Sequence, residues 1–240
     1  DEEGLSGAQR MSAEGAMDGV DDVIAQDVDP AKPVGTIGIN AGPNSGGVDS
    51  WHAVIKGKGG HGAHPDKTID PFYMLAHVIM ALNGIVSRRL NPFAPAVVSI
   101  GSIHGGFTEN VIPEEVKITG TLRFTDESVH QQIHAEIKRA FDIVKVLGGD
   151  YEIKYEIGGP PMINDKYVSE VIEKAGKDLL GEGNVGEIEK TLGAEDFGEF
   201  MKHAPGAMFT LGTQKAGHEE YLLHHPKFDI DERAMLIGTA

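Results

Sequence analysis

Four groups of acidic and histidine residues in this chain of 240 residues have the types and spacing for catalysis or metal binding. The chain has no cysteine, so any metal must be held by His, Asp and Glu side chains. Of two adjacent carboxylates, one can bind a metal while its neighbour activates the bound water. The groups are Glu2 with Glu3, Asp27, His61 with His64, and His224 with His225.

Each group also has an ordinary structural interpretation. Glu2 and Glu3 open a predicted helix, where carboxylates are stabilised by the helix dipole. Asp27, in the stretch AQDVDP, is by default a solvated acid in a turn before Pro30. The pair at 224 and 225 is as compatible with structural histidines as with a metal ligand. No group decides the function alone.

The stretch GKGGHGAHP, residues 57–65, contains His61 and His64 and follows a predicted strand. It lacks the Lys-Ser or Lys-Thr ending of a nucleotide phosphate loop, and its glycines do not open a helix as in a dinucleotide site. A metal pair is awkward because the motif offers no carboxylate. The remaining interpretations are one histidine that faces a substrate, or a solvated surface loop.

The elements that must position these residues divide the chain at two Gly/Pro-rich hinges, residues 41–47 and 158–161. Between the hinges, the periodicity predicts strand, helix, strand, strand, helix, strand, which is the order of the ferredoxin-like unit. For residues 48–158 we expect a four-stranded antiparallel sheet with both helices on one face. The apolar stripe predicted for the first helix comprises Phe72, Leu75, Ile79, Leu82 and Val86.

The segments outside the hinges predict further helices and strands, which we interpret as two portions of one α/β catalytic domain. The predicted division is residues 1–46, the N-terminal catalytic segment; residues 47–160, the inserted unit; and residues 161–240, the C-terminal catalytic segment. The chain begins without Met, and its last residues predict a helix that is cut short. We therefore expect a fragment of a longer protein.

Composition excludes some classes of partner. The net charge is −16, with scattered Lys and Arg, which argues against nucleic acid. No apolar run approaches the roughly 18 residues of a membrane span. The absence of cysteine fits a cytoplasmic protein.

Five motifs, in one order, resemble the zinc-type aminoacylase and carboxypeptidase family of two-metal amidohydrolases. The resemblance is greatest to the branch with hippurate hydrolases and auxin-conjugate amidohydrolases, and it covers essentially the whole chain. It implies a two-part α/β metallopeptidase domain with an inserted ferredoxin-like domain that serves as lid and dimerisation domain. The motifs are EEG, GKGGHGAHP, GGFTENVIPEEVKITGTLR, LGAEDF and LHHPKFDIDE.

The resemblance implies roles for the acidic and metal-binding residues. Glu2 matches the general base and Glu3 the neighbouring metal ligand. Asp27 stands where this branch usually has a histidine ligand and other branches have an acid. His224 matches the last metal ligand, and His225 is its neighbour. Further ligands of the family precede residue 1.

The resemblance also implies roles in the inserted unit. His61 matches the histidine that reaches into the active site of the dimer partner. Asn110 and Arg123 match residues that hold the carboxylate of the substrate, for which the guanidinium fork of arginine is suited.

The implied activity is hydrolysis of the amide bond of an N-acyl amino acid or small peptide with a free carboxylate. Two divalent metal ions per site are expected, zinc foremost, with manganese or cobalt as alternatives. The partner is a second copy of the chain, joined through the inserted unit. Two other functions stay open: an inactive homologue that only dimerises or binds a ligand, and a dipeptidase or carboxypeptidase of the same chemistry.

Overall fold

The computed structural model describes residues 7–217 and 221–240. Among these residues, no helix is both long and apolar enough to cross a membrane. The helices are α1 Gly7–Ala13, α2 Pro71–Arg88, α3 Glu127–Val146, α4 Lys166–Leu180 and α5 Ala234–Gly238, with 3-10 helices at Pro65–Lys67, Glu182–Asn184 and Asp196–Lys202. The strands are β1 Val23–Pro33, β2 Ile37–Gly38, β3 Gly42–Ser45, β4 Gly47–Lys56, β5 Gly60–His61, β6 Ala96–Gly105, β7 Val111–Ile112, β8 Glu115–Phe124, β9 Asp150–Ile157, β10 Met162–Asn164, β11 Val185–Gly186 and β12 Gly206–Gln214.

The inserted unit is an antiparallel sheet covered by two helices. The strand order is β6-β8-β4-β9, with every neighbour antiparallel, as in a ferredoxin-like fold. Helices α2 and α3 contact each other and share one core with the sheet, which places both on the same face. Trp51, Phe141 and Ile133 are fully buried in this core. The mixed α/β fold and the sheet predicted from the sequence are therefore confirmed.

Both long helices of this unit begin at an aspartate whose side chain caps the first turn. Asp70 accepts from the amide of Phe72, and Pro71 follows it where a helix tolerates proline. Asp126 accepts from the amide of Val129 at 3.0 Å. The predicted stripe of α2 was partly wrong, because Phe72 is exposed while Met74 is buried. The buried face of α2 is therefore rotated from the prediction near the start of the helix.

The segments on either side of the inserted unit share a second sheet, with strand order β1-β12-β2-β11. β1 pairs in parallel with β12, and α4 packs its buried Val168 and Ile172 against Ile37. Pro30 lies within β1, which is tolerated because β1 is at the edge of the sheet that the described residues form. Asp27 therefore lies inside a strand, and the default interpretation of this residue as a solvated turn acid was wrong.

The chain passes between the two sheets twice, before β4 and after β9, and these two adjacent passages form what we call the crossing. The amide of Val48 donates to the carbonyl of Gly159, and the amide of Gly158 donates to the carbonyl of Val48, both at 3.0 Å. Next to them, β3 and β10 form a short antiparallel pair. The start of β4 and the end of β9 are thus fixed together where the chain enters and leaves the inserted unit.

Candidate active site

A cavity of about 620 Å³ opens between the second sheet and the loops that follow it. Its polar wall includes Asp27 from β1, Glu195 from the segment before a 3-10 helix, and His224 from the C-terminal loop. Asn44 and Ser45, at the crossing to the inserted unit, complete the rim. Residues from four distant regions of the sequence therefore face one space.

Asp27 is placed by the parallel pairing of β1 with β12. It lies opposite Thr210 in this register, and both residues line the cavity. Its carboxylate is half-buried and accepts from the amide of Val28 at 2.7 Å. The register of β1 against β12 therefore places this carboxylate at the cavity wall.

The two adjacent histidines of the C-terminal loop differ in their surroundings. His224 lines the cavity and has a φ of 68°, a left-handed value that no other described residue except glycine adopts. Such backbone strain is often found at functional sites. His225 instead stacks on Tyr221 at 4.5 Å, and its Nδ1 accepts from the amide of Lys227. The loop thus directs His224 to the cavity and uses His225 in its own turn.

Glu195, in the motif LGAEDF, was assigned no role from the sequence. It lines the cavity, and its carboxylate caps the following 3-10 helix by accepting from the amide of Phe197 at 3.2 Å. Its neighbour Asp196 accepts from the amide of Ala8 at 2.9 Å. The start of α1 is therefore tied beside the cavity wall. The signal in the sequence was the motif LGAEDF, one of the five that resemble the family.

The predicted base Glu2 and the predicted ligand Glu3 lie outside the described residues. Glu3 precedes Ala8 by five positions.

His61 lies in an exposed loop at the end of the inserted unit. It pairs with Val111 across the short β5–β7 ladder, and the amide of Gly62 donates to the carbonyl of Asn110 at 2.8 Å. The structure thus brings His61 and Asn110 together. The glycines permit close packing: a Cβ at Gly57 would lie 2.0 Å from the carbonyl oxygen of Ile69.

The imidazole of His61 has contacts within its own loop. Its Nδ1 accepts from the amide of Ala63 at 3.0 Å, and its ring lies 5.7 Å from that of His64. Because Nδ1 accepts a hydrogen bond, a neutral His61 carries its proton on Nε2. The exposed nitrogen is therefore a donor.

Arg123 lies at the opposite end of the inserted unit from His61. It pairs with Val48, next to the crossing, whereas the His61 loop follows Lys56 at the far end of β4. The nine steps from Gly47 to Lys56 span about 30 Å at a rise of about 3.3 Å per residue. The predicted substrate-binding residues therefore fall into two separate groups within one chain.

The donors on the cavity wall fit a divalent metal in their chemistry, since they are two carboxylates and one imidazole. Their spacing is wider than that of a compact three-ligand cluster. Within the described ranges, three ligand atoms lie within 4.8 Å of one another only in the group of Asp49, His130 and His134. A two-metal site spreads its ligands over two ions about 3.5–4 Å apart, so the wider spacing is compatible with one.

Comparison with known proteins identifies the inserted unit. Residues 45–146 match the family model described as a peptidase dimerisation domain. The chain is 35% identical to thermostable carboxypeptidase 1 of Saccharolobus solfataricus, over 98% of this chain and 60% of that protein. It is 34% identical to N-acetyl-L-cysteine deacetylase of Bacillus subtilis, over 98% of this chain and 55% of that protein.

A solved structure gives the same result. The dinuclear metal-binding peptidase of the M20 family from Bacillus subtilis matches with a TM-score of 0.79 and 30% identity, over 97% of this chain and 58% of that one. The chain spans less than two thirds of the length of these proteins. The family expected from the five motifs is thereby confirmed. Along nearly its whole length the chain is therefore similar to M20-family proteins, and residues 45–146 of its inserted unit match the peptidase dimerisation domain.

Proposed function

We propose that the whole protein is a metal-dependent amidohydrolase that cleaves the amide bond of N-acyl amino acids or small peptides with a free carboxylate. One observation carries the proposal: Asp27, Glu195 and His224, from three separate segments, line a single cavity in a chain of this family. The relatives include a carboxypeptidase and a deacetylase of an N-acetyl amino acid, both of which hydrolyse amide bonds.

Asp27 and His224, together with Glu3, are the proposed metal ligands of this chain. Two divalent ions, preferably zinc, would polarise the amide carbonyl and lower the pKa of the attacking water. Glu195 is a further carboxylate donor on the same wall. The donor set of oxygen and nitrogen atoms suits zinc, manganese or cobalt, and the solved M20 relative is described as dinuclear.

Glu2 is the proposed general base. It takes a proton from the attacking water and delivers it to the leaving amine nitrogen, so that the amine departs neutral. Support comes from the contact between Asp196 and Ala8, which fixes the start of α1 beside Glu195. The short chain distance from Ala8 to Glu2 allows this carboxylate to serve the same cavity.

His61 is the proposed donor to the carbonyl oxygen as negative charge develops on it. The hydrogen bond from Ala63 to Nδ1 leaves the proton on Nε2, which is the form that a neutral donor requires. A donor of this kind stabilises the transition state more than the substrate, so it raises turnover.

We propose that His61 and Asn110 act in the cavity of a second copy of the chain. Arg123 pairs with Val48, three positions after the cavity residue Ser45, whereas His61 lies about 30 Å along β4 from that point. One substrate can then meet both groups if they come from different chains. The match of residues 45–146 to a dimerisation domain supports a homodimer. In this proposal, residues 47–160 form the inserted unit, and residues 1–46 and 161–240 form the two catalytic segments.

The first test uses a panel of N-acetyl amino acids and dipeptides with the purified whole protein. We expect hydrolysis of members with a free carboxylate, and loss of rate when that carboxylate is amidated. Preference for dipeptides over N-acyl amino acids would select the carboxypeptidase alternative. No hydrolysis of any member by protein with its full metal content would select the inactive homologue.

The second test mixes a His61→Ala chain with a Glu2→Ala chain, each expected to have little activity alone. A mixed dimer retains one site with Glu2 from one chain and His61 from the other. We therefore expect partial recovery of activity after the chains exchange. Confirmed exchange without recovery would show that His61 does not act across the interface.

A further inference from the structure

A second group of metal-type ligands lies inside the inserted unit, separate from the cavity. His130 and His134 are one turn apart on α3, and both direct Nε2 at the same oxygen of Asp49. The distances from Asp49 Oδ2 are 2.6 Å to His130 and 2.7 Å to His134. Two imidazoles four positions apart on a helix present their nitrogens on one face, which is a common arrangement for a metal pair.

The carboxylate of Asp49 is held in place by its burial and by a backbone hydrogen bond. Its side chain is fully buried near the start of β4, and its Oδ1 accepts from the amide of Gly158 at 3.2 Å. Burial opposes its ionisation, but the hydrogen bonds from His134, His130 and Gly158 outweigh burial and lower its pKa. The group is thus an ionised carboxylate inside the fold, with one oxygen directed at two imidazoles.

The two imidazoles are also fixed by their neighbours. The ring of His130 stacks on Phe124 at 4.0 Å, and the ring of His134 lies 4.1 Å from that of Tyr155. On its other side, His130 Nδ1 faces a carboxylate oxygen of Glu127 at 3.3 Å. A carboxylate behind a ligating histidine is the usual outer-shell partner in metal sites, where it orients the ring.

We propose that Asp49, His130 and His134 bind one divalent transition metal ion, zinc being the best match to two imidazoles and a carboxylate. The ligand atoms of a tetrahedral zinc ion lie about 2 Å from the ion and about 3.3 Å from one another. The distance from Asp49 Oδ2 to each Nε2 must therefore increase by about 0.6 Å when the ion binds. The fourth position takes a water. Tyr155, whose ring contacts that of His134, has a buried hydroxyl with no hydrogen-bond partner among the described residues.

The position of the site gives it a structural consequence. Asp49 joins β4 to the crossing at Gly158, while both histidines belong to α3. Bound metal therefore links the helical layer of the inserted unit to the point where the chain returns to the second sheet. Because the ion binds the folded form, zinc raises the unfolding temperature of the inserted unit.

The test titrates zinc into the metal-stripped chain by calorimetry, in a His224→Ala background that removes a ligand of the cavity. We expect one zinc per chain in this background. His130→Gln and His134→Gln should each weaken that binding by more than about 100-fold, since losing a ligand costs more than losing its outer-shell partner. The matched control is His77→Gln, an exposed histidine on α2, which should leave binding unchanged.

Two further measurements separate metal binding from a purely structural role. Glu127→Gln should weaken zinc binding by about 10- to 100-fold, less than loss of a ligand, because the outer-shell partner of His130 is altered while the ligands stay. Near-ultraviolet circular dichroism of Trp51 checks that each variant is folded. Undetectable zinc binding, or equal affinity in the His130 and His134 variants and the control, would overturn the proposal and leave the group as a hydrogen-bonded network.

Discussion

Phe141 on α3 provides a quantitative test of the core of the inserted unit. Its side chain is 0% exposed, and its ring meets that of Trp51 edge-on, with the centroids 5.8 Å apart at 74°. A second ring, that of Tyr151, lies at 5.5 Å. Replacing such a buried phenylalanine by alanine removes these contacts and leaves a cavity, so we expect Phe141→Ala to lower the free energy of unfolding by about 3–5 kcal/mol.

The chain supplies its own reporter for this experiment. Trp51 is the only tryptophan and is fully buried in the same core, so its fluorescence follows unfolding of the inserted unit. With an m-value of about 2 kcal/mol per molar urea, a loss of about 4 kcal/mol shifts the urea midpoint down by about 2 M. Met80→Ala is the matched control, because Met80 lies on α2 and is 76% exposed.

The control should change the free energy of unfolding by no more than about 0.5 kcal/mol. A midpoint shift below about 0.5 M for Phe141→Ala, with an unchanged m-value, would refute the packing described for this core.

Three further predictions concern single residues. His61→Ala in the whole protein should reduce turnover by about 10²–10³-fold without loss of metal, whereas His64→Ala should have a mild effect; equal rates for the two variants would contradict the assigned role. Asp126→Ala removes the cap of α3 and should cost about 1 kcal/mol by the fluorescence assay, and no change would show that the cap is not formed in solution. The pKa of Asp142 is lowered by the hydroxyl of Tyr151, which donates at 2.7 Å, and by Lys138. A lowered pKa stabilises the fold above the unfolded value of about 4 and loses that effect as the pH falls through the folded value, so Tyr151→Phe should be more destabilising at pH 7 than at pH 3. An equal difference at both pH values would rule out this linkage.

The inserted unit was largely predictable because its signals are local. Ile133, Ile137 and Phe141 recur at helical spacing, and all three are fully buried. The acidic residues before each helix and the alternation in β8 identify the elements without knowledge of the rest of the chain. The apolar stripe predicted for α2 wrongly included Phe72, which shows the limit of this reasoning. Which side of the first turn of a helix is buried depends on the position of the preceding loop.

The cavity was less predictable because it depends on contacts between distant segments. A solvated turn acid was the default interpretation of Asp27 beside the metal ligand implied by the resemblance, and only the parallel pairing of β1 with β12 shows that it lies opposite Thr210 at the cavity. Similarly, Asp49 and His130 are 81 positions apart, and nothing near either residue indicates the other. Family resemblance distinguished His224 from His225, but the left-handed φ of His224 was visible only in the structure.

The central claim is that Asp27 and His224 share a metal site that hydrolyses amides. The most direct measurement is the metal content and the hydrolysis rate of the whole protein, compared with its His224→Ala and His225→Ala variants under the same conditions. We predict that His224→Ala loses most of its catalytic metal and its activity, whereas His225→Ala keeps both. Full metal content and full activity in His224→Ala would contradict the claim.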